Sequence, residues 1–227
     1  EIVDCDWSSD VCSSDLRENF EPATACAVAN GIGMRGGTFV YDLSNACLGV
    51  LNGMIEVANR IELGQIRAGL VVSCESSREI IEIALGKMLA GTGGMAEFAP
   101  ALATFTGGSG AVAVLLTDGS FAAPRGHRLL GGACEVAPEF HELCRWGMTP
   151  GKEGWHEQFM FTDSVAVLKN GTALGESTWV EFLKAMNWTR ADVDKIICHQ
   201  VGSQHQESFL RFTGMTREHD YTTFRYR

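Results

Sequence analysis

Residues 38–74 constrain the fold more than any other stretch of the chain. Thr38-Phe-Val-Tyr41 is β-branched and aromatic, the composition of a short strand. From about Ser44 to Leu63, the residues Val50, Met54, Val57 and Ile61 recur at helical spacing and predict an apolar stripe. Gly49 and Gly53 add a small-residue face that another backbone can approach. Gly64 is placed to stop the helix. Ala68 to Cys74 is a nearly continuous apolar run, the pattern of a strand covered on both faces. A helix this apolar is expected to be buried on most sides.

The alternation continues along the chain. Glu21-Pro-Ala-Thr24 leads into a short helix from Ala23 to Asn30, stopped by Gly31, with Pro22 in its first turn. Residues 79–89 read as helix and 90–96 as a Gly-rich loop. Thr106-Gly-Gly-Ser-Gly110 bends into an apolar strand that ends at Thr117. A phosphate loop needs a following helix and a Lys-Ser/Thr pair, so these glycines are read as sites of close packing. A strand is expected around Gly126–Glu135. A long helix is expected from Phe161 to Met186, interrupted at Gly171 and Gly175. Val193 to Cys198 is expected to be a strand ending at His199, and Ser203 to Phe212 a helix stopped by Gly214. Strands and helices in this order indicate an α/β protein with covered sheets.

Composition narrows the class. With 227 residues, 45% of them hydrophobic, the chain can bury one large core or two small ones. It has no 18-residue apolar run for a membrane span and no signal-peptide pattern. Its eight cysteines are scattered without a CxxC pair, as in the reduced thiols of a cytoplasmic protein. His141, Cys144 and His156 lack an identifiable fourth ligand, so no metal is expected. The net charge of −10 is uneven. Residues 1–16 hold Glu1, Asp4, Asp6, Asp10 and Asp15 and no basic residue, and the remainder shows no basic patch for nucleic acid.

That first segment is unlike the rest. Asp6-Trp-Ser-Ser-Asp-Val-Cys-Ser-Ser-Asp-Leu16 repeats Ser-Ser-Asp and lacks strand or helix periodicity. It resembles the conceptual translation of a sequencing-adapter oligonucleotide, which would exclude residues 1–16 from the fold. The chain also stops within a strand-like run at Tyr221–Arg227. The expected organisation is therefore 1–16 foreign, 17–120 a first half and 121–227 a second, shortened half. A fragment of this kind is expected to be inactive alone.

Two residues stand where catalytic groups of α/β sheets gather, just after the carboxyl ends of strands: Cys47 and His199. Ser44 can cap the helix ahead of Cys47, and a helix N-terminus favours a thiolate. A thiolate with an imidazole nearby suits chemistry on thioesters. Each also has a plainer reading, Cys47 as a small buried apolar residue and His199 as a surface or hydrogen-bonded core histidine.

Ser44-Asn-Ala-Cys47-Leu-Gly, Gly108-Ser-Gly-Ala and Ile197-Cys-His199-Gln-Val, in this order, resemble the thiolase superfamily, and within it the 3-oxoacyl-ACP synthase III branch. The resemblance runs from about Phe20 to Arg227. It implies a five-layered αβαβα sandwich of two similar halves and a homodimer. It also implies Claisen condensation of acyl thioesters, with Cys47 carrying the acyl group and His199 polarising the second carbonyl. No cofactor is implied; acyl-CoA or acyl-ACP are the substrates. A family asparagine in a Gly-Asn loop has no match here. Asn19-Phe-Glu21-Pro-Ala-Thr, Asn45-Ala-Cys47-Leu with Asn52-Gly-Met, and Leu143-Cys-Arg145 are similar to the OleA-type branch, which joins two acyl-CoA molecules. On that resemblance Glu21 is the base for the α-proton and reaches the partner subunit's site. Malonyl condensation generates its carbanion by losing CO₂, whereas a simple acyl-CoA needs a base. Glu21 also reads as an exposed loop carboxylate ahead of a helix. The other readings are a non-catalytic thiolase-like subunit and a Cys–His thioesterase.

Overall fold

Main-chain hydrogen bonding in a four-stranded sheet organises the first part of the chain. The computed structural model describes residues 7–12, 21–34, 36–91, 94–121, 126–150 and 156–222. Two compact units form, Glu1–Ser76 with Ser109–Leu129, and Ser77–Gly108 with Leu130–Arg227. The division expected at residue 120 differs from this. Residues 77–108 group with the second unit because their helices pack on a strand of that unit.

In the first unit, β1 (Trp7–Cys12) lies between β2 (Phe39–Asp42) and β3 (Ala68–Glu75), parallel to both, with Ser8 opposite Phe39 and Trp7 opposite Ala68. The other edge of β3 pairs antiparallel with β4 (Gly110–Thr117), from Ala68 opposite Thr117 to Glu75 opposite Gly110. A segment expected to carry no element is thus a strand. A ladder needs only N–H and C=O groups, which every non-proline residue supplies, so a slot between two parallel strands accepts a run without a strand's apolar pattern. Residues 1–6 and 13–16 of that run lie outside the described residues.

Helix α1 (Thr24–Gly31) buries Ala25 and Ala29. Pro22 precedes it and Ala23 is its N-cap, so the proline stands before the first turn that it was expected to occupy. Helix α2 (Gly49–Glu62) packs on β3 and β4. Val57 and Val71 are fully buried with Ile66 beside them, and Val50, Met54, Ile61, Val114 and Leu116 frame the cluster. All four stripe residues therefore face the core. Leu51 and Ile55, across the helix, are exposed, so α2 is covered on one side and not on most. Gly64 stops α2 as its spacing predicts. At φ +68° its N–H donates to the Ile61 carbonyl while that of Gln65 donates to Arg60, which satisfies the last open carbonyls.

The second unit holds α3 (Arg78–Ala90), α4 (Met95–Ala101), a hairpin of β5 (Cys144–Pro150) and β6 (His156–Thr162), α5 (Ser164–Met186) and α6 (Ser203–Thr213). α4 begins within the expected 90–96 loop, and β6 runs to Thr162, so the helix expected from Phe161 begins only at Ser164. Residues 126–135 form no regular element. The predicted strand at 193–198 reduces to one parallel bridge, Ile196 with Asp220, because no longer neighbour pairs with it among the described residues. Of the glycines expected to pack closely, Gly107 does, since an added Cβ would stand 3.2 Å from Cβ of Ser77, whereas the space beside Gly110 is open. α5 runs unbroken through Gly171 and Gly175. The ring of Phe212 occupies the space beside Gly175, so contact with α6 offsets a helical propensity cost of about 1 kcal/mol. Asp163 caps α5 by accepting from the Ala166 N–H at 2.9 Å. Ile196, Leu210 and Met215 form the core here, with Trp179, Val193 and Phe209 against them.

Two stability predictions arise. Val57→Ala removes buried methyl groups and is expected to lower unfolding free energy by roughly 2 kcal/mol, whereas Val165→Ala, at an 80% exposed position, changes it by less than about 0.5 kcal/mol. Denaturant unfolding of both variants checks this. The second concerns His205 on α6, whose Nε2 is buried without a hydrogen-bond partner. Burial lowers its pKa below the usual histidine value, so the unfolded chain takes up a proton before the folded one does. Its contribution is complete above about pH 6.5 and falls as pH drops toward the folded pKa. His205→Phe is expected to flatten the stability–pH curve over that window, measured by unfolding at a series of pH values.

Candidate functional site

The turn that carries Cys47 is built by one residue in an unusual conformation. β2 ends at Asp42, and Ala46–Leu48 then forms a 3₁₀ turn directly ahead of α2. Ala46 sits at φ +43°, in the left-handed region that a side chain disfavours by about 1 kcal/mol or more. It interrupts the helical run that the sequence predicts from Ser44. Cys47 therefore precedes the α-helix instead of lying in its first turn, and no side chain caps either turn, Ser44 included. The Leu48 N–H donates to the Asn45 carbonyl at 3.0 Å, and the Asn45 side-chain amide donates to Asn52 on α2. Cys47 is exposed, which removes the plainer reading of a buried apolar residue. Its position next to the N-terminal N–H groups of α2 favours negative charge.

Glu21 belongs to the same unit and is also exposed, two residues ahead of the N-cap of α1. The first turn of α1 is held from a distance. Asp42 accepts from the Thr24 N–H on one oxygen and from the Ala25 N–H on the other, each at 2.9 Å. One carboxylate thus joins the helix behind Glu21 to the strand that leads to Cys47. This link lies between residues far apart in sequence and has no local signature.

His199 lies in the second unit, exposed, three residues after the Ile196–Asp220 bridge. Its strand segment is pinned on both sides. Ile196 donates to the His219 carbonyl at 2.9 Å, and Thr222 Oγ1 donates to Gln200 Oε1 at 3.0 Å. Asp220 also accepts from the Gln206 side-chain amide and contacts the Cys198 thiol at 3.7 Å. Burial first, and then the Asp220 carboxylate, push the Cys198 thiol above its ordinary pKa. Cys198, although beside His199, is therefore a poor nucleophile at neutral pH compared with a thiol at a helix N-terminus.

Elsewhere in the second unit, α3, α4 and β6 enclose an apolar recess of about 270 Å³, with Ile80, Ile83, Met88, Phe159 and Met160 on its walls. His141 Nδ1 contacts the Pro138 carbonyl and Cys144 contacts Thr162, and no described residues gather as a metal-binding group. No described helix is long and apolar enough to cross a membrane.

No family model matches the chain. Two curated relatives do. It is 49% identical over 210 residues to an acyl-CoA:acyl-CoA alkyltransferase of Shewanella oneidensis, covering 92% of this chain and 60% of that protein. It is 30% identical over 203 residues to a protein of the same name from Xanthomonas campestris, covering 89% of this chain and 57% of that one. The chain thus spans about three fifths of the length of the curated relatives it matches. Among solved structures, a cysteine-to-serine variant of Xanthomonas campestris OleA with bound lauric acid and lauroyl-CoA superposes with a TM-score of 0.85 at 29% identity, over 97% of this chain and 62% of that one. The same OleA has also been solved with a glutamate or a histidine substituted and with cerulenin bound. Its substituted glutamate precedes its substituted cysteine by the same 26 residues that separate Glu21 from Cys47. Over the part it spans, the chain is similar to the OleA-type acyl-CoA:acyl-CoA alkyltransferases and shares their thiolase-like α/β fold.

Proposed function

We propose that this chain is the larger part of an acyltransferase that joins two acyl-CoA molecules by Claisen condensation, working as a homodimer in the cytoplasm. The observation that carries this reading is the exposed Cys47 on a strained turn at the N-terminus of α2, in a chain half identical to a named acyl-CoA:acyl-CoA alkyltransferase.

In the first half-reaction the Cys47 sulfur attacks the carbonyl carbon of one acyl-CoA. The C–S bond to CoA breaks, CoA leaves as its thiol, and Cys47 holds the acyl group. N–H groups at the start of α2 stand ready for the charge that develops on the carbonyl oxygen. In the second half-reaction the Glu21 carboxylate takes a proton from the α-carbon of a second acyl-CoA, and a His199 N–H stabilises the resulting enolate oxygen. The α-carbon then attacks the acyl group on Cys47. The Cys47 C–S bond breaks, the thiolate recovers the proton from Glu21, and a 3-oxoacyl-CoA is released. The apolar recess between α3, α4 and β6 offers walls suited to an alkyl chain. The equal Glu–Cys spacing in OleA supports Glu21 in this role, and the high thiol pKa of Cys198 supports Cys47 over its nearest competitor.

Incubation of a full-length version with acyl-CoA alone tests the proposal. CoA release with a 3-oxo product is expected without any malonyl thioester. Turnover only on adding malonyl-ACP would point to the synthase III reaction, and free acid without a carbon–carbon product to a thioesterase. Cys47→Ala is expected to reduce condensation by at least about a thousandfold. Glu21→Gln is expected to reduce it roughly a hundred- to ten-thousandfold, the range for removing a general base. Initial rates of 3-oxo product formation measure both.

A further inference from the structure

We propose that Asp42 is a positioning residue for the base, holding the Glu21 loop against the strand end that leads to Cys47; this rests on the reading of Glu21 given above. Ala23, the N-cap of α1, has no oxygen to offer the first-turn N–H groups, and no side chain caps the helix locally. Asp42 supplies that function from another element. Its two oxygens accept one N–H each, from Thr24 and Ala25, both at 2.9 Å. Hydrogen bonds to a charged acceptor are about twice as strong as neutral ones, and a pair on one carboxylate fixes orientation as well as distance. The positive end of the α1 dipole adds to the attraction.

The consequence follows from the order of residues. Glu21 is linked to the anchored Thr24 only through Pro22, whose ring restricts φ, and Ala23. Asp42 is linked to Cys47 through Leu43, Ser44, Asn45 and the left-handed Ala46, with Asn45 tied to Asn52 on α2. The Asp42 carboxylate therefore fixes the start of α1, and with it the loop that carries the candidate base, to the end of β2. An asparagine in its place keeps one acceptor oxygen but turns an N–H donor toward a main-chain N–H, so it fits the space and fails the electrostatics.

The test compares Asp42→Asn and Asp42→Ala with Glu21→Gln in a full-length version of the chain, using lauroyl-CoA deuterated at the α-carbon. Three quantities are read: amide hydrogen exchange at Thr24 and Ala25, acyl transfer to Cys47 by mass spectrometry, and loss of α-deuterium to water. Both Asp42 variants are expected to speed exchange at the two amides about tenfold, the effect of losing one hydrogen bond. Acyl transfer should stay within about threefold of the parent, while α-deuterium loss slows roughly ten- to a hundredfold, the scale of a misplaced group. If both reactions fall together, Asp42 is only structural and the proposal is overturned. If Glu21→Gln slows α-deuterium loss and neither Asp42 variant does, the positioning role alone fails. If Glu21→Gln has no effect, the reading of Glu21 fails and takes this proposal with it.

Discussion

Packing of α2 across β3 is the interaction on which the candidate site depends. Val57 and Val71 meet in full burial, and Val50, Met54 and Ile61 continue the same stripe along the helix. Burial of each such side chain contributes on the order of 2 kcal/mol, so the register of α2 on the sheet is firmly set. That register decides where the helix begins and therefore where the turn of Ala46–Leu48 presents Cys47. The apolar core and the candidate nucleophile are two ends of one element. The strain at Ala46 persists because this packing and the Asn45–Asn52 contact hold the turn on both sides.

Electrostatics then distinguishes among otherwise similar groups. Two exposed or half-exposed cysteines follow β-type segments, but their surroundings differ in sign. Cys47 lies just ahead of the positive end of a helix, whereas Cys198 is partly buried beside the Asp220 carboxylate, which holds it as a thiol. Two aspartates serve as long-range anchors. Asp42 ties the helix behind Glu21 to β2, and Asp220 ties the segment before His199 to α6. In both cases the carboxylate meets two groups from other parts of the chain, so one side chain anchors the segment next to a candidate site residue.

What was legible in the sequence was local. The stripe on α2, the stops at Gly64 and Gly214 and the apolar run of β3 each follow from periodicity or from a residue at positive φ. Cys47 and His199 stand out as candidates because they follow strand-like runs and sit in motifs. What was missed depends on contacts distant in sequence. β5 and β6 pair with each other, yet Gly147 and Pro150 break the alternation that would announce a strand. The predicted strand at 193–198 has the right composition and lacks an extended partner among the described residues. Trp7–Cys12 shows the converse, with a strand formed by a run that has no strand pattern. The left-handed Ala46 is invisible because alanine is the residue expected to continue a helix. The capping of α1 by Asp42 spans 17 or 18 residues, beyond any local rule.

The most direct test of the central claim, that Cys47 is the acyl acceptor, is the mass of a full-length version of the chain after incubation with lauroyl-CoA, followed by peptide mapping. One added acyl group per chain is expected, on the peptide containing Cys47 and absent from Cys47→Ala. An acyl group on the Cys198 peptide, or one that persists in Cys47→Ala, would contradict it.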